Sequence, residues 1–276
     1  MIRRLIDKLF IKQPRVRIWV TKLIYGTRDR HITVFGTPFT VNSLSENGYV
    51  RAAAKIKGSS LLEDEVAVLI SIATLLDPGD TFIDVGANVG LFCGTLVRIN
   101  QLFGQRVVRF YAYEPHPETF HRLTNNTADK GIVVRNCALS DSAGEVDFVE
   151  GAVSHVFTHA SRPSPYVLPT RRRKVRTVRL ADEVIDGESL ILKIDVEGQE
   201  FAVLEGARQF FERSRVKAVY LDGYAERQKV EQFLRDFGFT FLNGRTSKPF
   251  ETGGFSLLAI KEAYLRRVKG SQIENG

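Results

Sequence analysis

The sequence predicts an α/β fold: a doubly wound sheet, mostly parallel with an antiparallel edge, preceded by a helical arm. Three observations carry that expectation. Short apolar runs alternate with helical patterns from about residue 61 onward, as in a parallel sheet covered on both faces. One run, Phe82-Ile83-Asp84-Val85, passes into the glycine turn Gly86-Ala87-Asn88-Val89-Gly90 and then a helix. Acidic residues fall where successive strands end, at Asp84, Glu114 and Asp195, and open α/β sheets place ligands at the carboxyl ends of strands.

The elements follow in order. In residues 1–30, Ile2, Leu5, Ile6, Leu9 and Phe10 recur at helical spacing opposite Arg3, Arg4, Lys8 and Lys12. Pro14 interrupts this pattern, and Trp19, Val20, Leu23 and Ile24 form a second amphipathic piece. Residues 31–60 are a β-rich lead-in, with Ile32–Phe35 and Phe39–Val41 joined by Gly36-Thr37-Pro38. A helix over 61–76 places Leu62, Val66, Leu69, Ile70 and Ala73 on one face and ends at Asp77-Pro78-Gly79-Asp80. After strand 82–85 the helix is expected to start near Asn88. Strand 107–113 ends at Glu114-Pro115, helix 117–129 leads to strand 132–137, and the next core strand is 190–195. Helix 199–212, strand 216–221, helix 226–237 and late strands near 239–242 and 255–260 close a domain spanning 61–262, followed by a tail over 263–276.

Residues 140–180 break the alternation: Ser142–Glu145 reads as a turn, Val146–Phe148 as a short strand, and about 150–180 as an insertion. Pro163, Pro165, Pro169, His155, His159 and the run Arg171-Arg172-Arg173-Lys174 read as a long loop, a common place for lids and binding loops. The histidines read as surface residues, with a base or metal role as the alternative. The basic run reads as solvated or as a phosphate grip.

Composition narrows the classes. A chain of 276 residues with 43% apolar and 26% charged residues suits one large domain. The net charge of +7 sits in residues 1–30, which hold nine Lys/Arg and two Asp; the rest holds 30 basic and 30 acidic residues. A neutral body argues against nucleic acid held by bulk charge. Cys93 and Cys137 form no C-x-x-C pair and read as reduced, buried thiols. Charges break every apolar run, so neither a membrane span nor a signal peptide is expected. The expected location is the cytoplasm. Residues 1–30 either pack on the domain or touch an anionic membrane surface.

The glycine turn is not G-x-G-x-x-G, and a carboxylate at the strand end is a poor neighbour for a pyrophosphate. Asp84 suits a ligand with a cationic part. Glu114 can accept hydrogen bonds from both hydroxyls of a ribose.

Asp84–Gly90, Glu114-Pro115, Asn136–Asp141 and Leu192–Glu200 together resemble the FkbM-type family of S-adenosylmethionine-dependent methyltransferases over roughly residues 60–260. The resemblance implies a Rossmann-like class I methyltransferase sheet and methyl transfer to a hydroxyl of a glycan, glycolipid or secondary metabolite. It implies S-adenosylmethionine as cofactor, held by Asp84, Gly86, Asn88 and Gly90 at the methionine end, by Glu114 at the ribose, and by Ala138 and Leu139 at the adenine. Asp195 is the leading candidate for the base that activates the hydroxyl, with Glu197 assisting and Lys193 tuning both. Asp195 and Glu197 could share a divalent cation through their oxygens, but two carboxylates are few for one, so a metal is possible but not favoured and no metal site is assigned. The chain departs from the family at Asp222, where relatives more often carry glutamate. The alternatives are methylation of RNA or protein and a non-catalytic, membrane-docked scaffold of the same fold.

Overall fold

The computed structural model describes residues 14–54, 60–104, 108–151, 169–251 and 254–270. Helix α1 (Pro14–Tyr25) precedes an antiparallel hairpin, β1 (Asp29–Val34) and β2 (Thr37–Asn42), and helix α2 (Asn47–Ala54). Helix α3 (Ser60–Leu75) leads to β3 (Thr81–Val85). There follow α4 (Leu91–Leu102), β4 (Arg109–Tyr113), α5 (Pro117–Thr127), β5 (Ile132–Arg135), β6 (Ala138–Leu139), β7 (Gly144–Gly151) and β8 (Pro169–Val178). The chain continues through β9 (Leu190–Ile194), α6 (Glu200–Gly206), α7 (Arg208–Glu212), β10 (Val216–Leu221), α8 (Arg227–Asp236), β11 (Phe239–Asn243), β12 (Leu257–Lys261) and α9 (Glu262–Gly270).

The central sheet has the order β11-β12-β10-β9-β3-β4-β5. The run from β10 to β5 is parallel, and β12 is antiparallel to both β10 and β11. The expected antiparallel edge is therefore present. The order reverses at β3, and the site lies there.

Alternation along β3 divides the core. Phe82 faces α3, α4 and α9, among Leu69, Ile72, Leu96 and Val268. Ile83 and Val85 face the opposite layer, where Val203, Phe211, Phe233 and Leu234 of α6 to α8 pack. The lead-in has its own small core of Val34, Phe39, Val41 and Val50, which meets Val89 and Leu91 behind the glycine turn. Asn126 of α5 ties this unit down: its Oδ1 accepts the Thr40 N–H at 2.7 Å, and its Nδ2 donates to the Thr40 carbonyl at 3.0 Å and to the Val89 carbonyl at 2.8 Å.

Several expectations change. Helix α4 starts at Leu91, not Asn88, because Asn88 and Gly90 both take positive φ, 52° and 82°; a helix cannot run through left-handed residues. The helix expected over 199–212 is two helices, broken at Ala207. Strand 132–137 stops at Arg135, and Ala138–Leu139 pairs instead with β8. Residues 263–270, expected as tail, form most of α9, and Val268 is buried against the core. Ile70, placed on the buried face of the 61–76 helix, is exposed.

The largest difference is the run Arg171–Lys174. It is not loop but part of β8, antiparallel to β7. Within the run Lys174 lies opposite Asp147 and Arg171 opposite Glu150, while Arg172 and Arg173 lie opposite Val149 and Phe148; farther along β8, Arg176 lies opposite Glu145. Opposite charges directly across a ladder favour pairing. His155, His159 and the 2–10 amphipathic pattern lie outside the described residues.

Candidate active site

A cavity of about 500 Å³ opens at the carboxyl ends of β3, β4 and β9. The lead-in closes one side with Ser45, Glu46 and Tyr49, and the β7–β8 hairpin closes another with Val146, Phe148 and Thr177.

The glycine turn forms the floor. The Gly86 and Ala87 N–H groups both donate to the Tyr113 carbonyl at 3.0 Å, so the turn is bolted to the end of β4. Gly86 has φ 75°, and a Cβ there would stand 2.0 Å from the Asp195 carbonyl oxygen. Only glycine lets the β3 turn lie this close to the end of β9. Asn88 lines the cavity, and its Oδ1 is buried with no hydrogen-bond partner.

Glu114 is buried at the end of β4. One oxygen accepts the Asn88 N–H at 3.0 Å and the other the His116 N–H at 2.8 Å. Each keeps a lone pair toward the cavity, which Glu114 lines. Burial pushes its carboxyl up to about 7 despite those two N–H groups. Cys137, Ala138, Leu139 and Phe148 supply an apolar slot beside it.

Asp84 does not line the cavity. It is fully buried beneath the turn and meets the Lys193 Nζ at 3.0 Å, although neither carboxylate oxygen has a well-aligned hydrogen bond. Lys193 also reaches the Gly86 carbonyl at 3.1 Å and Asp195 Oδ2 at 3.6 Å. Burial alone would lower the lysine, but Asp84 and Asp195 overcome it and hold the ammonium above its ordinary range. Lys193 thus stands between Asp84 and the cavity. Gly90 lies behind the floor, where a Cβ would stand 2.6 Å from the Leu123 side chain.

Asp195 and Glu197 both line the cavity just past β9. Glu197 takes φ 52°, unusual for a residue with a side chain. Its carboxyl is raised to about 7, first by burial and then by the charges of Asp195, Glu200 and Asp222. Glu200, 1% exposed, holds this loop. Its two oxygens accept the Gly198 N–H at 2.8 Å and the Ala225 N–H at 3.0 Å, joining the turn after β9 to the one before α8. Asp222 is gripped by the Tyr220 hydroxyl and by Arg245, each at 2.9 Å.

Sequence reasoning missed the lead-in's share of the cavity. Tyr49 is raised by burial and then by Glu65, and Glu65 is itself raised to about 7 by burial. Neither stands out in the sequence, because a tyrosine in a short helix and one acid among three in α3 carry no spacing signal. Among the described residues, no three His, Cys, Asp or Glu side chains converge to hold a metal ion.

Residues 84–241 match the methyltransferase FkbM domain, more than half of the chain. The chain belongs to the FkbM family of methyltransferases. This FkbM methyltransferase is 27% identical over 207 residues to the hexuronic acid methyltransferase AglP of Haloferax volcanii, covering 71% of this chain and 75% of that protein. Among solved structures, a TehB-like S-adenosylmethionine-dependent methyltransferase from Corynebacterium glutamicum has TM-score 0.42 and 13% identity over 78% of this chain and 96% of its own. One from Aquifex aeolicus has TM-score 0.37 and 13% identity over 75% and 94%. Likenesses this distant add nothing to the strand order and the family match.

Proposed function

We propose that this FkbM methyltransferase transfers a methyl group from S-adenosylmethionine to a hydroxyl of a sugar, in a glycan or glycolipid. The relative in Haloferax volcanii, named for hexuronic acid, supports a sugar acceptor.

The cofactor reading rests on chemistry present in the cavity. Glu114 has spare acceptor capacity for two ribose hydroxyls, and the unpartnered Asn88 Oδ1 suits an ammonium. Ala138, Leu139 and Phe148 suit the adenine ring. Gly86 and Gly90 let the turn lie flat beneath the methionine end. Asp84 would act from below by fixing Lys193. S-adenosylmethionine supplies an activated methyl on a cationic sulfonium.

The observation that carries the reaction type is Glu197. A neutral hydroxyl is a weak nucleophile and needs its proton removed as the new bond forms. A carboxyl held near 7 is better matched to that task than an ordinary one. We therefore assign the proton acceptor to Glu197. Asp195, paired with Lys193, would orient the acceptor through its partly exposed carboxylate. Acceleration beyond proton removal comes from alignment, since the displacement needs donor and acceptor in line.

Incubating the protein with labelled S-adenosylmethionine and a panel of sugars, uronic acids and non-sugar alcohols tests this reading. Methylated sugar should form. Transfer only to RNA, protein or non-sugar alcohols would overturn the acceptor class, and failure to bind S-adenosylmethionine in calorimetry would overturn the donor.

A further inference from the structure

We propose that α1 is a lipid-contact helix that seats the enzyme on an anionic membrane surface. Val16, Trp19, Leu23 and Ile24 recur at the spacing of one helix face and are 47, 64, 70 and 62% exposed. They form a contiguous apolar stripe rather than scattered surface residues. The other side of the helix faces the protein: Ile18 and Tyr25 are half-buried, and Tyr25, the last residue of the helix, packs against the Val34, Phe39 and Val41 cluster. The stripe therefore lies on the face away from that contact.

Charge selects the occupant. The same helix carries Arg15, Arg17 and an exposed Lys22, and residues 1–30 hold the whole net charge of +7 while the rest is neutral. An apolar stripe on a helix rich in cationic residues is what an interfacial helix presents to anionic lipid, with apolar side chains in the acyl boundary and cations at the head groups. No helix among the described residues is long and apolar enough to cross a membrane; the contact proposed is a peripheral one. The unit that bears α1 also supplies Ser45, Glu46 and Tyr49 to the cavity and is tied to the glycine turn through Asn126. Seating the helix would thus orient the cavity relative to the lipid surface. This holds whichever hydroxyl is methylated.

The chain contains a single tryptophan, and it lies in the stripe. Its fluorescence is the probe. Full-length protein mixed with vesicles of phosphatidylcholine containing 30% phosphatidylglycerol should show a blue shift and should sediment with the vesicles. Leu23→Glu/Ile24→Glu keeps the reporter and alters only exposed positions. It should bind these vesicles roughly tenfold or more weakly, with unchanged S-adenosylmethionine affinity as the check on folding. Pure phosphatidylcholine vesicles should bind the wild type much less. No shift with anionic vesicles would overturn the proposal. So would sedimentation without a shift, which would mean charge alone attracts the arm. A shift that tracks protein concentration without vesicles, with a doubled mass lost in the double variant, would assign the stripe to a second copy.

Discussion

The two walls of the cavity are built by different means. The wall at the ends of β3 and β4 is mostly backbone: Gly86 and Ala87 donate to Tyr113, Asn88 donates to Glu114, and the partners lie within about thirty residues of each other. The opposite wall is made of side chains from the lead-in and the turn after β9, including Tyr49, Asp195 and Glu197. A ligand of constant chemistry can be held by a short local motif. A wall assembled from distant segments can change piece by piece, which would suit the side proposed here to meet the acceptor.

The largest expected effect lies where the walls touch. Gly86→Ala would drive a Cβ to 2.0 Å from the Asp195 carbonyl at a positive φ. It should cost roughly 3 kcal/mol or more of stability and abolish cofactor binding. Thermal unfolding and calorimetry would read this, and a stable, binding-competent variant would mean the walls are not in contact.

Next, Glu197→Gln should lower kcat by about 10²–10⁴-fold while leaving cofactor affinity nearly intact. In the wild type at saturating S-adenosylmethionine, where Glu114 no longer limits cofactor binding, kcat should rise with pH through about 7 as Glu197 loses its proton, and the variant should lose that limb. Normal turnover would return the base role to Asp195.

Glu114→Gln tests the first wall alone. Losing a charged acceptor to two hydroxyls should weaken cofactor binding by roughly 1.5–3 kcal/mol. Wild-type cofactor binding should likewise weaken as pH falls through about 7 and the carboxyl gains its proton. The stability sign runs the other way. A carboxyl raised in the folded state favours folding most below its ordinary value of 4.5, and that contribution is lost as pH rises through about 7. Glu114→Gln should flatten this slope in chemical denaturation.

A smaller effect is expected at Glu200, which touches no cavity atom but holds Glu197's loop. Glu200→Gln keeps one acceptor oxygen. It should lower kcat by roughly tenfold or less and shift the limb that rises through about 7, whereas Glu200→Ala should do both more strongly. Equal pH profiles in all three proteins would reduce Glu200 to a structural brace. Smallest of all, Lys174→Ala on the exposed face of β8 should change stability by less than about 1 kcal/mol, because its ion pair with Glu145 is solvent-screened.

What was legible in the sequence follows the same division. Phe82–Gly90 could be read because strand, turn and helix are contiguous, and each needs particular residues locally. The Asp195–Glu200 segment was legible as a motif, but its internal division of labour was not. That the Glu197 carboxyl is raised to about 7 depends first on burial and then on charges that include Asp222, and that Glu200 is spent on two N–H groups depends on Ala225; Asp222 and Ala225 arrive from another strand and loop. The basic run in β8 was misread as loop because its acidic partners on β7 lie across an intervening segment. Charge along one strand says nothing of charge across the ladder.

The sequence by itself determined the sheet, the glycine floor, the acid at each strand end and the basic, amphipathic character of the first thirty residues. All of these are periodicities or short-range requirements of the backbone. The tertiary structure alone decided that Asp84 lies beneath Lys193 rather than in the cavity. It alone brought Tyr49 to the cavity, set Glu65 within reach of the Lys193 and Asp195 charges, and turned Trp19, Leu23 and Ile24 outward. Those outcomes depend on burial and on charges brought close by packing, and neither is written in the order of residues along a chain.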